Sequence, residues 1–173
     1  LRIRPRYVAR SRVTDTLTSA ERSARMSLIR SRDTKPELRV RYFLHGNGLR
    51  YRLDLKIEGV RPDMVFPGKH TALFVHGCMW HRHPAPSCQL TRTPKSNIAF
   101  WSAKFSQNQE RDKRQRAILE KAGWNVIVVW ECETKDIVRL TELANEIRSI
   151  QLTRSKISTP HPPTPWPPPS PRS

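Results

Sequence analysis

Thr71-Ala72-Leu73-Phe74-Val75-His76 is an uninterrupted run suited to the centre of a sheet, and nearly all of it is apolar. A strand buried on both faces reads this way, because neither side has to meet water. Just upstream, Pro67-Gly68-Lys69-His70 is a natural turn, and residues 63–66 before it read as a partner strand. Residues 49–53 alternate apolar and basic side chains and predict a third strand. Downstream, a long helix is expected over 97–121, stopped by Gly123, and the strand 124–130 after it is the most apolar in the chain. A last helix is expected over 137–150. On the N-terminal side, Thr18 with Glu21 and Thr34 with Glu37 both have capping-box spacing. The first pair opens a short helix through Leu28 and Ile29. The second opens a helix with Pro36 in its first turn and Gly46 or Gly48 at its end. This order predicts an α/β unit with a mixed central sheet flanked by helices. No internal repeat is present.

The chain has 173 residues, with 32 Lys and Arg against 15 Asp and Glu, a net charge of +17. The length suits one domain with tails. A hydrophobic fraction of 36% with five Trp suffices for a packed core and argues against wholesale disorder. No apolar run approaches the roughly 18 residues of a membrane span, and no secretory signal pattern is visible. Leu1 rather than Met opens the chain, which points to a start further upstream. The charge excess predicts a polyanionic partner, nucleic acid above all, since Lys and Arg gain affinity by displacing counterions from phosphates. A solvated basic face is the plainer alternative. Residues 1–17 hold five arginines without periodicity and read as a flexible basic arm. At the other end, 8 of the 15 prolines fall between Pro160 and Pro171, so 153–173 reads as a proline-rich disordered tail and 18–152 as the folded unit.

Cys78, His83 and Cys88 stand with four residues between each, and Cys132 follows the strand 124–130. Together they form a Cys3His set, the donor chemistry of a closed structural zinc site that would hold a loop too poor in apolar side chains to fold alone. Three reduced core cysteines with an incidental histidine remain the plainer reading. A disulfide fits poorly, because the cysteine count is odd and nothing indicates export.

Arg61-Pro62-Asp63 begins one strand and Val75-His76 ends the next. A carboxylate on one strand beside ligands on its neighbour is the pattern of metal-dependent nucleases written PD-(D/E)xK. Phe74-Val75-His76 stands where the second half of that pattern belongs, so another group must activate water. Histidine suits that task near neutrality, and with His83 assigned to zinc, His81 is left as the base.

Val75-His76-Gly77-Cys78-Met79-Trp80-His81-Arg82-His83, with Arg61-Pro62-Asp63 before it and Trp130-Glu131-Cys132 after it, resembles the very short patch repair (Vsr) mismatch endonucleases. The similarity runs from about Ser19 to about Cys132 and includes Glu110-Arg111-Asp112. It implies a restriction-endonuclease-like fold with a zinc-stabilised loop. It also implies an enzyme that uses magnesium to nick DNA beside the thymine of a T:G mismatch left by deamination of 5-methylcytosine. A monomer acting on double-stranded DNA in the bacterial cytoplasm, associated with the nucleoid, is the corresponding expectation, with no membrane and with mismatch-repair proteins or a DNA methyltransferase as possible partners.

Carried across position by position, the resemblance makes Asp63 the magnesium-binding aspartate and His81 the base toward the attacking water. It makes His76 a second active-site histidine, and Cys78, His83, Cys88 and Cys132 the zinc ligands. Glu37 and Asp112 match acidic residues near the site. Val75 departs from the usual threonine: its backbone carbonyl can still serve the metal, but a hydroxyl is gone. Met79 departs from the usual aromatic.

Plainer roles stand beside these. Glu37 is also the capping partner of Thr34, and Asp112 is also a surface helix acid. Trp101, Phe105, Asn108, Asp112, Gln115 and Leu119 share one helix face, which argues that Asn108 and Asp112 point at something other than bulk water. Met79 and Trp80 lie between a zinc ligand and the base, where a stiff loop can wedge them into a weak base step. Trp101 matches a further stacking aromatic, with a core position as its rival. Arg25 and Arg30, with Arg22, Arg32 and the basic arm, are expected on phosphates. Two alternative functions stay open: a restriction-type endonuclease on the same fold, and a zinc-stapled DNA-binding protein without catalysis.

Overall fold

The computed structural model describes Thr18, Glu21 and residues 32–150. The arm 1–17, Arg25, Arg30, the helix through Leu28 and Ile29 and the tail 153–173 lie outside the described residues. Of the first capping pair, the Thr18 N–H donates to Glu21 Oε2 at 2.8 Å and the Glu21 N–H to Thr18 Oγ1 at 3.3 Å.

Helix α1 runs Lys35–Gly46. Thr34 caps it by accepting the Glu37 N–H, and Pro36 occupies the first turn, where a missing N–H leaves nothing unpaired. Strands β1 (Met64–Phe66) and β2 (Thr71–His76) form a hairpin joined by a 3-10 turn over Pro67–Lys69. A short helix α2 covers Cys78–His81, the long helix α3 covers Ile98–Lys121, and strand β3 covers Asn125–Trp130. A second 3-10 turn, Glu131–Lys135, leads into helix α4, Ile137–Ser149, capped by the Asp136 carboxylate. Gly123 takes the left-handed φ of +81° that ends α3 and turns the chain into β3.

The sheet order is β1-β2-β3, antiparallel between the first two and parallel between β2 and β3. Every residue of β2 is buried, as its apolar run predicts. Its alternate side chains serve two cores. Leu73 and Val75 face α1 and α4, meeting Val40, Leu44, Leu140, Leu143 and Ile147. Ala72 and Phe74 face the other way with Val65 and meet Leu119 of α3. His76 follows in that second series, so the strand's period of two delivers it to the α3 side.

Residues 49–53 do not form the expected strand. A single bridge survives, in which Arg52 and Val65 exchange N–H···O bonds of 2.7 and 2.9 Å. The alternation is real, since Leu49 is buried and Tyr51 meets Phe66 edge-on at 5.8 Å. Asp54, however, turns into the left-handed region at φ +61° and takes the chain off the sheet after one pair. The other element ends fall within one residue of expectation.

Candidate active site

Parallel pairing brings the ends of β2 and β3 level, with His76 beside Trp130. The chain leaves β2 through Gly77, where close packing excludes a side chain: a Cβ there would lie 3.2 Å from Trp80 Cδ1. One turn of helix then aims His81 back across the strand end. Its ring stacks on that of His76, with centroids 4.0 Å apart and planes 11° from parallel. His81 Nδ1 lies 2.5 Å from Asp112 Oδ2, on the face of α3 turned toward the sheet. Both side chains are largely but not wholly shielded, at 18% and 17% exposure.

The electrostatics of this trio are unequal. Burial, then the neighbouring His81, pushes His76 down to about 4, so it is neutral at ordinary pH. Burial acts to raise the Asp112 carboxyl, but the bond to His81 and the charges of His81, His76 and Arg111 outweigh it and hold it below the usual range. An ionised Asp112 accepting from Nδ1 fixes the tautomer of a neutral His81, leaving the Nε2 lone pair as its basic atom. The two imidazoles and the Asp112 carboxylate lie within 4.8 Å of one another. They line one end of a cleft of about 410 Å³ floored by Phe74, Val126, Val128 and Trp130.

Asp63 stands on the open end of the hairpin. Its N–H donates to the Leu73 carbonyl at 3.1 Å, while its Oδ2 accepts the Val75 N–H at 2.7 Å. The carboxylate therefore takes the place that β1 backbone would have filled. Amide and carbonyl of one strand residue face the same neighbour, so the Val75 carbonyl is turned toward this same side. Burial first, and the nearby Glu37 charge next among the raising influences, lift the Asp63 carboxyl to about 6 against the Val75 bond and the charges of Arg41 and His81. A half-buried carboxylate beside the carbonyl of a neighbouring strand residue is an oxygen donor set suited to a hard cation such as magnesium.

Glu37 serves as cap partner and also as neighbour of this centre. It is 5% exposed, Oε1 accepts the Thr34 hydroxyl at 2.8 Å, and Oε2 accepts the Asp33 N–H at 3.0 Å and Arg41 Nη2 at 3.1 Å. Arg41 was not singled out from the sequence, although its i,i+4 spacing from Glu37 was the available signal.

The four soft donors also assemble. Cys78, His83, Cys88 and Cys132 offer ligand atoms all within 4.8 Å of one another, and the cysteines are unbridged. Cys132 Sγ lies 3.8 Å from His83 Nδ1, and the Cys132 N–H donates to Cys78 Sγ at 3.4 Å. Tetrahedral zinc bonds of roughly 2.0–2.3 Å would set such ligands about 3.5–3.8 Å apart. Burial pushes the Cys78 thiol up to about 12, and burial likewise raises Cys132. The half-buried Cys88 is drawn down to about 6, first by Thr91 and then, against desolvation, by His83. Buried thiols of this kind ionise only when a bound cation offsets the burial, which suits zinc. Glu131, part of the Trp130-Glu131-Cys132 motif but given no role by the sequence, supports the cluster by accepting the Cys78 N–H at 3.3 Å.

Between the two centres, Met79 and Trp80 are half-buried on α2. The Trp80 ring lies 5.8 Å from Trp101, which stacks in turn on Phe105 at 5.8 Å. Trp101 is thus backing for Trp80 and only half-exposed. Asn108 is 8% exposed and donates to the Trp80 carbonyl at 3.0 Å, so it anchors the loop backbone.

A family model described as DNA mismatch endonuclease Vsr matches residues 14–88. The chain is 44% identical over 125 residues to the type II nicking enzyme V.XorIIP of Xanthomonas oryzae pv. oryzae, covering 72% of this chain and 90% of that one. It is 44% identical over 140 residues to the type II nicking enzyme V.NmeAIP of Neisseria meningitidis, covering 79% and 98%. The DNA mismatch endonuclease Vsr of Escherichia coli is 39% identical over 131 residues, covering 75% and 81%.

Proposed function

The chain belongs to the Vsr family of DNA endonucleases, and from that premise we propose that it nicks one strand of duplex DNA beside the thymine of a T:G mismatch. The observation that carries the chemistry is the 2.5 Å contact between His81 and Asp112. Asp112 keeps His81 in the tautomer whose Nε2 accepts a proton, and His81 takes that proton from the attacking water. His76, neutral and stacked on His81, keeps a second positive charge away from the base and offers a hydrogen bond to a phosphate oxygen. Asp63 and the Val75 carbonyl are the groups that would hold magnesium. When bound, that ion supplies Lewis-acid charge at the scissile phosphate and an acidified water. Zinc on Cys78, His83, Cys88 and Cys132 would hold the loop that carries His81, on a restriction-endonuclease-like scaffold.

Selectivity in this reading comes from the loop tip. Met79 and Trp80 enter a base step that a mispaired thymine opens cheaply, with Trp101 behind Trp80 and Asn108 holding its backbone. Arg25 and Arg30 take phosphates. The net charge of +17 supports a DNA partner.

The test is cleavage of supercoiled plasmid and of a T:G oligonucleotide duplex in magnesium, with wild type and His81→Ala. The expected result is a single nick in the mismatched duplex alone, lost with His81. Cutting of fully paired DNA would make this a restriction-type enzyme, and binding without cutting would make it a DNA-binding protein.

A further inference from the structure

Strand β3 ends the sheet on one side, and its outer edge is open among the described residues. The Asn125 N–H donates to the His70 carbonyl at 2.8 Å, so residues 125, 127 and 129 turn their backbone groups to β2, and residues 126, 128 and 130 turn theirs away. Two of the outward groups are covered. Arg116 Nη2 donates to the Val126 carbonyl at 3.4 Å, and the Trp130 N–H donates to Glu133 Oε2 at 2.8 Å. Between these covers, the outward amide and carbonyl of Val128 have no partner among the described residues. Exposed edges are ordinarily blunted by a charge, a proline or a bulge, and Asn125–Trp130 has none of these. A strand laid on this edge would send each side chain to the face of its β3 neighbour. On the α3 face lies the 410 Å³ cleft, floored by Val126 and Val128 and rimmed by Arg82, Lys113 and Arg116. Lys113 and Arg116 are paired with Glu110 and Glu120 in contacts more than half exposed, which exchange readily. Toward α4, a second cleft of about 480 Å³ carries Glu120 and Glu146 and disfavours acids.

We propose that the outer edge of β3 is a docking site for an extended segment of a partner protein, added as a further strand and carrying acidic side chains at every second position. The Val128 backbone groups set its register, its acids reach Lys113 and Arg116, and the neutral residues between them face the Glu146 side. Charge and hydrogen bonding decide the occupant. A second copy of this chain would bring another +17 and another α3 rich in lysine and arginine against the first. DNA would be attracted, but its phosphates only accept hydrogen bonds and leave the Val128 carbonyl unmet. A peptide backbone offers donor and acceptor together.

Binding of a fluorescein-labelled peptide, Thr-Glu-Val-Glu-Val-Glu-Thr, to the full chain tests this, followed by anisotropy and by amide hydrogen exchange. The peptide is expected to bind with a dissociation constant below about 1 mM and to slow exchange at the Val128 amide about tenfold or more. The same peptide with lysine for glutamate should bind about tenfold more weakly or worse. N-methylating either the glutamates or the residues between them blocks one side of the peptide backbone, so one of these two peptides should lose binding and the other keep it. Val128→Pro removes the outward donor while sparing the bonds to β2 and should weaken binding about tenfold. No binding at about 1 mM would overturn the proposal. So would loss of binding in both methylated peptides or in neither, the last reducing the attraction to net charge. Protection of Val128 by a fully paired DNA duplex and not by the peptide would give the edge to nucleic acid and overturn it as well. Where Val128→Pro does not fold, the two methylated peptides decide.

Discussion

His76 and His81 face the long helix α3, while Cys78 and His83, each two residues further on, join Cys132 at the end of β3. One loop of the chain thus feeds two centres whose relations to stability are opposite. The thiolate cluster draws together residues of a loop that has little apolar surface, so a bound ion there strengthens the fold. The acid–imidazole centre does the reverse. It keeps a carboxylate where burial lifts it to about 6 and an imidazole where burial lowers it to about 4, each disfavouring its charged form. Groups held away from their ordinary protonation behaviour are characteristic of sites selected for chemistry rather than stability. Adjacent residues in sequence can therefore serve opposed ends when a strand end and a helical turn send them to different faces.

The sharpest way to break this contrast is His81→Ala. Nicking is expected to fall about 10²–10⁴-fold, the range for losing a general base, while the thermal melting curve stays nearly in place. A melting temperature that collapses with activity would merge the two centres into one structural unit. Cys132→Ser should behave the other way round. Loss of one ligand should release zinc, measurable by chelator assay, and destabilise the fold by about 3 kcal/mol or more, with activity following the folded fraction.

Asp63→Asn tests the cost of the acid centre. With the folded carboxyl at about 6 and its ordinary value at 3.8, the native state binds this proton more tightly than the unfolded chain. Its stabilising contribution is complete below about pH 4 and is lost as pH rises through 6. The asparagine variant should then be inactive yet melt higher than wild type at pH 8, by at most about 3 kcal/mol, with no such gain at pH 4. Wild-type nicking should decline as pH falls through 6. The smallest expected effect is at Met79. A phenylalanine there stacks better than a thioether, so Met79→Phe should raise the preference for T:G over paired duplex about two- to fivefold, read from cleavage rates on the two substrates.

Much of the fold was legible because local rules and tertiary packing agreed. The Thr34–Glu37 cap, the apolar run of β2 and the stop at Gly123 each announce their element and find it. Residues 49–53 mislead because periodicity reports which side chains are buried, not whether a neighbouring strand continues alongside. β1 has only three residues, and the left-handed turn at Asp54 removes the chain. At the site, spacing brings the four soft donors together on paper, and the coordinates gather them within 4.8 Å. The contact of His81 with Asp112 needed a helix face as well as a motif. Helical spacing sets Asn108 on a face turned from bulk water but cannot name its partner, which is the Trp80 carbonyl. Arg41 escaped because an i,i+4 pair with Glu37 reads as an ordinary surface pair, and the sequence does not show that both are buried.

The bond from the Cys132 amide to the Cys78 sulfur spans 54 positions. Synthesis runs from the N-terminus, so a growing chain carries all the acids and imidazoles proposed for hydrolysis, up to Asp112, before the last thiol has been made. The clasp over the loop can close only when that late residue emerges from the ribosome. A chain so built carries its own delay: the residues proposed to cut are translated first, and the thiol that would close the clasp follows them.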